Sequence, residues 1–106
     1  MKILLICSAG MSTSLVVKKM RNAAAEKNVD HEIWAKSIDE AYEDYDKVDV
    51  ILIGPQIRYA LNEIIMQSQK PVEVIDRRLY GLGKGAEILQ QAETLYEKSL
   101  NGGNQS

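Results

Sequence analysis

Three short apolar runs, residues 3–6, 50–53 and 72–75, set the main constraint on how this chain can fold. Each is rich in Ile, Leu and Val and is bounded by Gly, Pro, Asp, Ser or Lys, so each reads as a strand. The first two are apolar without a break, and only Glu73 interrupts the third. A strand of that kind needs cover on both faces, which points to a parallel sheet between layers of helix. A fourth, weaker strand is predicted at residues 31–36, where Ile33 and Ala35 alternate with Glu32, Trp34 and Lys36. That pattern suits a sheet edge, with one side partly exposed.

Between these runs the period changes from two to that of a helix. Val16, Met20, Ala23 and Ala24 form one stripe; Ile57, Leu61, Ile64 and Ile65 form a second; Leu89, Ala92 and Tyr96 form a third. Met66 reads with the second stripe as core. A short helix is expected at residues 38–45, because Ser37 and Glu40 have capping-box spacing and Ile38, Ala41, Tyr42 and Tyr45 share a face. Trp34, Tyr42 and Tyr45 read as packing around the edge strand. The predicted order is β-α-β-α-β-α-β-α. Short connections between such units imply right-handed crossovers and helices on both faces of a four-stranded parallel sheet, with strand order 2-1-3-4. In that order the winding reverses between the first and third strands, so a ligand crevice is expected at their carboxyl ends. The loops at residues 7–14 and 54–59 meet there.

The length of 106 residues allows a self-supporting core in one domain, read as residues 1–100, followed by a flexible polar tail at 101–106. Thirteen Lys and Arg against 15 Asp and Glu leave a net charge of −2, which argues against a nucleic-acid partner. One Cys and one His supply neither a disulfide nor a metal cluster, and no cofactor is called for. The lone thiol fits a cytoplasmic setting. The first apolar run is too short for a secretion signal, and no stretch approaches the roughly 18 apolar residues of a membrane span.

The segment Cys7-Ser8-Ala9-Gly10-Met11-Ser12-Thr13-Ser14 follows the first strand and opens the first helix. Small residues let the backbone bend closely around an anion, and the unpaired amides at a helix start donate to it beside the positive end of the helix dipole. The hydroxyls of Ser8, Ser12, Thr13 and Ser14 are further candidate donors. The same surroundings favour a thiolate, so Cys7 is expected to act as a nucleophile toward phosphorus.

This is not a Walker A loop, since no Gly-Lys-Ser or Gly-Lys-Thr follows Gly10, and one glycine does not make a dinucleotide fingerprint. The loop does resemble the phosphate loop of low-molecular-weight protein tyrosine phosphatases, which share a flavodoxin-like sheet and place a nucleophilic cysteine after the first strand. That family carries an arginine six positions after the cysteine, where this chain has Thr13. Without that guanidinium, hydrolysis of a phosphate ester lacks its main transition-state clamp. A good nucleophile with weak hydrolytic equipment suits a carrier that holds a phosphoryl group and passes it on. A phosphatase-like thiol enzyme and a non-catalytic anion-binding module are the alternatives.

Over residues 2–100 the sequence resembles the IIB components of the bacterial phosphoenolpyruvate-dependent sugar phosphotransferase system, in the lactose, cellobiose and chitobiose branch. The likeness rests on the Cys7–Ser14 segment, Leu-Ile-Gly-Pro-Gln-Ile-Arg-Tyr at 52–59, Lys-Pro-Val-Glu-Val-Ile-Asp at 70–76, and Tyr80-Gly81. It implies that Cys7 accepts a phosphoryl group from a phosphohistidine of a IIA partner. Delivery would be to a sugar bound by the membrane IIC component, with a β-linked disaccharide such as cellobiose or chitobiose favoured. It further implies a cytoplasmic protein that meets the membrane transiently through IIC. Serving two partners in turn suits a compact monomer with modest interfaces.

Gln56, Arg58, Tyr59 and Tyr80 are secondary candidates for the partner surface or for orienting the phosphoryl group. Gly54-Pro55 is also an ordinary helix-start signal, which makes Arg58 equally readable as a solvated residue. Asp76 reads as a cap or turn residue. Arg77 and Arg78 are candidates to meet an acidic partner. His31, at the amino side of the sheet, reads as a surface residue without a role at Cys7.

Overall fold

The computed structural model describes residues 1–8 and 11–102. Four parallel strands, β1 (Lys2–Cys7), β2 (Glu32–Ser37), β3 (Val50–Ile53) and β4 (Val72–Val74), lie in the order β2-β1-β3-β4, as the sequence predicts. The helices are α1 (Met11–Glu26), α2 (Leu61–Ser68), α3 (Arg77–Leu82) and α4 (Gly85–Gly102), with tighter 3-10 segments at Ala41–Lys47 and Pro55–Ala60.

β1 and β3 are central, and their side chains divide by alternation between two cores. Ile3, Leu5, Val50 and Leu52 pack with Val16, Met20, Ala23 and Ala24 of α1 and with Ile88, Leu89 and Ala92 of α4. Leu4, Ile6, Ile51 and Ile53 pack on the opposite face with Ala41, Tyr45, Ile57, Ala60 and Ile64. The continuous apolar runs are thus explained by two covered faces. The register places Cys7 beside Ser37 of β2, while the Gly54 amide donates to the Ile6 carbonyl at 2.9 Å. The carboxyl ends of β1, β2 and β3 therefore lie side by side.

α4 can begin against α1 only because residue 85 is glycine. A Cβ there would lie 2.4 Å from the Lys19 carbonyl carbon, closer than non-bonded atoms approach.

Several expectations are corrected. The helix expected at 38–45 is a 3-10 segment at Ala41–Lys47 without a side-chain cap. Ser37 ends β2 and Ile38 donates its amide to the Cys7 carbonyl at 2.9 Å, so the intended capping residue is committed to the sheet. Tyr45 is buried as expected, but Tyr42 faces solvent. Ile57, Leu61 and Ile64 of the second stripe share one core, although the backbone is irregular at Ile57 (φ −118°, ψ 29°), inside the 3-10 segment that precedes α2. Ala60, Ile64 and Ser68 face inward, while Ile65 is exposed and Met66 is 72% exposed. Arg77–Leu82 forms a further short helix, capped by Asp76, whose carboxylate accepts from the amides of Arg78 (2.9 Å) and Leu79 (3.1 Å). Asn101 and Gly102, expected in the tail, extend α4; residues 103–106 lie outside the described residues.

Candidate functional site

Cys7 is the last residue of β1, and α1 opens at Met11, so the chain passes from a central strand to a helix start within the crevice that the strand order creates. The amides of residues 11–13 open a 16-residue helix, before its own hydrogen-bond ladder begins and where the helix dipole is positive. The candidates Ala9 and Gly10, and the side chains of Met11 and Ser12, lie outside the described residues. Ser8 and Ser14 are exposed, as donors to a surface anion must be.

Cys7 is only 3% exposed. The cause is its position: β2 lies alongside, and the Cys7 thiol is directed at the Lys36 carbonyl, 3.9 Å away. At that length the interaction is weak and leaves the sulfur chemically available.

Thr13 also departs from the expected role. Its hydroxyl does not face outward as an anion donor: the residue is 1% exposed, and its Oγ1 lies 2.9 Å from the Tyr80 hydroxyl. Tyr80 in turn is buried and cannot be a surface contact, because α3 turns its ring inward toward α1 and Gly54. The pair joins the first turn of α1 to α3. Residues 67 positions apart gave no local signal of this contact.

Gln56 and Gly54 shape the other wall. A Cβ on Gly54 would lie 2.9 Å from the Gln56 Oε1 and 3.6 Å from the Ile6 carbonyl oxygen, so the glutamine side chain lies close over the glycine, beside the end of β1. Arg58 is exposed, with Nη1 donating to the Pro55 carbonyl at 3.2 Å. Tyr59 projects into solvent, 80% exposed. Pro55, Gln56, Arg58 and Arg77 line one open cavity of about 290 Å³.

Two carboxylates elsewhere in the fold are each held by basic side chains. Asp44, buried under the 3-10 segment at Ala41–Lys47, accepts from the Trp34 indole at 2.8 Å and faces Lys36 and Lys47. The indole hydrogen bond is the strongest influence on it and, with the lysines, outweighs burial to hold its carboxyl below the usual range. At the amino side of the sheet, Glu93 of α4 pairs with Lys27 at 2.5 Å and with His31 Nε2 at 3.0 Å. Burial pushes the Glu93 carboxyl up, but the hydrogen bonds and charges of Lys27 and His31 together bring it below its ordinary value. His31 is therefore enclosed, not a simple surface residue, and its Nδ1 lies 3.1 Å from the Met1 amine. It precedes β2 and stands at the opposite end of the sheet from Cys7, roughly 20 Å away by strand rise.

Residues 2–91 match the family described as PTS system, Lactose/Cellobiose specific IIB subunit. The chain is 44% identical over 97 residues to the oligo-beta-mannoside-specific EIIB component of Bacillus subtilis, covering 89% of this chain and 94% of that protein. It is 43% identical over 101 residues to the cellobiose-specific EIIB component of Lactococcus lactis, covering 88% and 94%. Among solved structures, the cellobiose-specific IIB component from Borrelia burgdorferi superposes with a TM-score of 0.78 at 34% identity, over 92% of this chain and 93% of that one. The lactose-specific IIB domain from Streptococcus pneumoniae gives a TM-score of 0.82 over 91% and 97%; at 18% identity this likeness concerns the fold.

Proposed function

Since the chain belongs to the lactose/cellobiose-specific IIB subunits of the sugar phosphotransferase system, we propose that Cys7 is its covalent phosphoryl carrier. The observation that carries this reading is the direct passage from the end of a central strand, at Cys7, into the amide-rich start of α1.

In the first half-reaction the Cys7 thiolate attacks phosphorus in line with the N–P bond of a phosphohistidine on the IIA partner. The S–P bond forms, the N–P bond breaks, and its electron pair returns to the imidazole. In the second, a hydroxyl of a sugar held by the IIC component attacks the same phosphorus. The S–P bond then breaks, the thiolate is regenerated, and the hydroxyl proton passes to a base. Amides within residues 8–14 hold the phosphoryl oxygens in both steps. No Lys or Arg occurs in that segment, so water gains little help and the phosphocysteine persists until a partner arrives. With Cys7 3% exposed, docking must open the approach to its sulfur.

A β-linked disaccharide such as cellobiose or chitobiose is the proposed sugar, in keeping with relatives named for cellobiose and oligo-beta-mannosides. The protein works as a cytoplasmic monomer built on residues 1–100 and meets the membrane through IIC. Among the described residues no helix is long and apolar enough to cross a membrane.

The test is incubation of wild type and Cys7→Ser with phosphoenolpyruvate and the upstream carriers, followed by intact mass and peptide mapping. One phosphoryl group on Cys7, absent from the serine variant, is expected. An unlabelled wild type beside a phosphorylated IIA would refute the mechanism.

A further inference from the structure

Charge pairing among the described residues is uneven. Lys2, Lys27, Lys36 and Lys47 each face a carboxylate, on β1, just after α1, on β2 and in the first 3-10 segment, whereas Lys18, Lys19, Arg21, Lys70 and Lys84 form no salt bridge. Around the carboxyl ends of β3 and β4, Arg58, Arg77 and Arg78 are exposed, and no salt bridge neutralises any of them. Asp76, the acid beside two of them, uses its carboxylate to cap α3. Arg58 and Arg77 line the same cavity as Gln56, and Gln56 lies over Gly54, whose amide is bonded to the residue before Cys7. A cationic rim thus adjoins the proposed site in a chain whose net charge is −2.

We infer that Arg58 and Arg77, with Arg78 beside them, form a docking rim for an acidic protein surface, that of the phosphorylated IIA donor. This rests on the phosphocarrier reading of Cys7. Guanidinium forks match carboxylates in bidentate pairs. Tyr59 and Leu82, 80% and 61% exposed on the elements that carry the arginines, supply the aromatic and apolar anchors typical of protein interfaces. Lys84 shares a cavity with Arg78 and Leu82, which brings the cations here to four, the lower limit of the clusters of about four to eight that anionic membranes recruit. The donor brings the dianionic phosphoryl group to this face, whereas the sugar acceptor is uncharged, so a cationic rim favours the loaded donor in particular. Charges at such a rim govern encounter and salt dependence more than the chemical step.

The test compares wild type with Arg58→Glu/Arg77→Glu and Arg58→Lys/Arg77→Lys, measuring initial rates of transfer from phosphorylated IIA to Cys7 across donor and salt concentrations. Charge reversal is expected to raise the KM for the donor about ten-fold, leave kcat within about two-fold and flatten the salt dependence, while lysine, which keeps the charge but not the fork, restores the salt slope and only part of the KM. An unchanged KM and salt slope, with Cys7 still labelled in wild type, would overturn the rim and leave the carrier intact. So would a defect confined to transfer onward to IIC, or to binding of vesicles containing phosphatidylserine. A wild type that takes no label from phosphorylated IIA would overturn both.

Discussion

The hydroxyls of Thr13 and Tyr80 meet at 2.9 Å in the protein interior and tie the first turn of α1 to α3. Thr13 lies in the segment that opens with Cys7, so the bond fixes the amides proposed to hold the phosphoryl group. Removing one member leaves a buried hydroxyl without this partner, at a cost of about 1–3 kcal/mol. Tyr80→Phe should therefore lower the stability read from urea titration by that amount and slow transfer to Cys7. Thr13→Val/Tyr80→Phe should cost less than the two single changes together. Additive losses in urea titrations of the four proteins would show that the two hydroxyls act independently.

How far this arrangement could be read from sequence depended on the range of the forces involved. β1 and β3 were legible because two-sided burial leaves an unbroken apolar run, and α1 because Val16, Met20, Ala23 and Ala24 all reach one core. Met66 and Ile65 misled because α2 buries only a narrow face through Leu61, Ile64 and Ser68, and the two residues after Ile64 turn about 100° and 200° away from it. Cys7 stood out through its neighbours in sequence. The inward turn of Tyr80 depended on α3, a helix of six residues whose short pattern carries almost no periodic signal. Arg58 and Arg77 likewise became one feature only when β3 and β4 placed their following segments together.

Acid should loosen the protein at Glu93 and Asp44. Both carboxyls titrate below their ordinary values when folded, Asp44 chiefly through the Trp34 hydrogen bond and Glu93 against burial, through Lys27 and His31. A depressed folded value means that the unfolded chain binds protons first as pH falls. The stabilisation is then fully present above the unfolded range of about 4 and is lost as pH drops through the folded values. Urea midpoints measured from neutral pH downward should fall through this window, and Glu93→Gln should make the decline shallower. An identical pH profile in that variant would remove Glu93 from the account.

Two glycines near α3 and α4 should respond oppositely to alanine. At Gly85 the new methyl would sit 2.4 Å from the Lys19 carbonyl carbon and 2.7 Å from its oxygen, so α4 must shift away from α1 and uncouple part of the core they share. Gly85→Ala should cost about 1–3 kcal/mol, the usual range for forced overpacking, or more if the helix start cannot move. Gly81 lies within α3, and a Cβ there meets nothing within 4 Å. Gly81→Ala should stabilise by about 0.5–1 kcal/mol, because alanine gives up less backbone freedom in a helix. Urea denaturation of both variants checks the contrast. Equal losses at the two positions would mean that close approach to Lys19 does not set the requirement for glycine at 85.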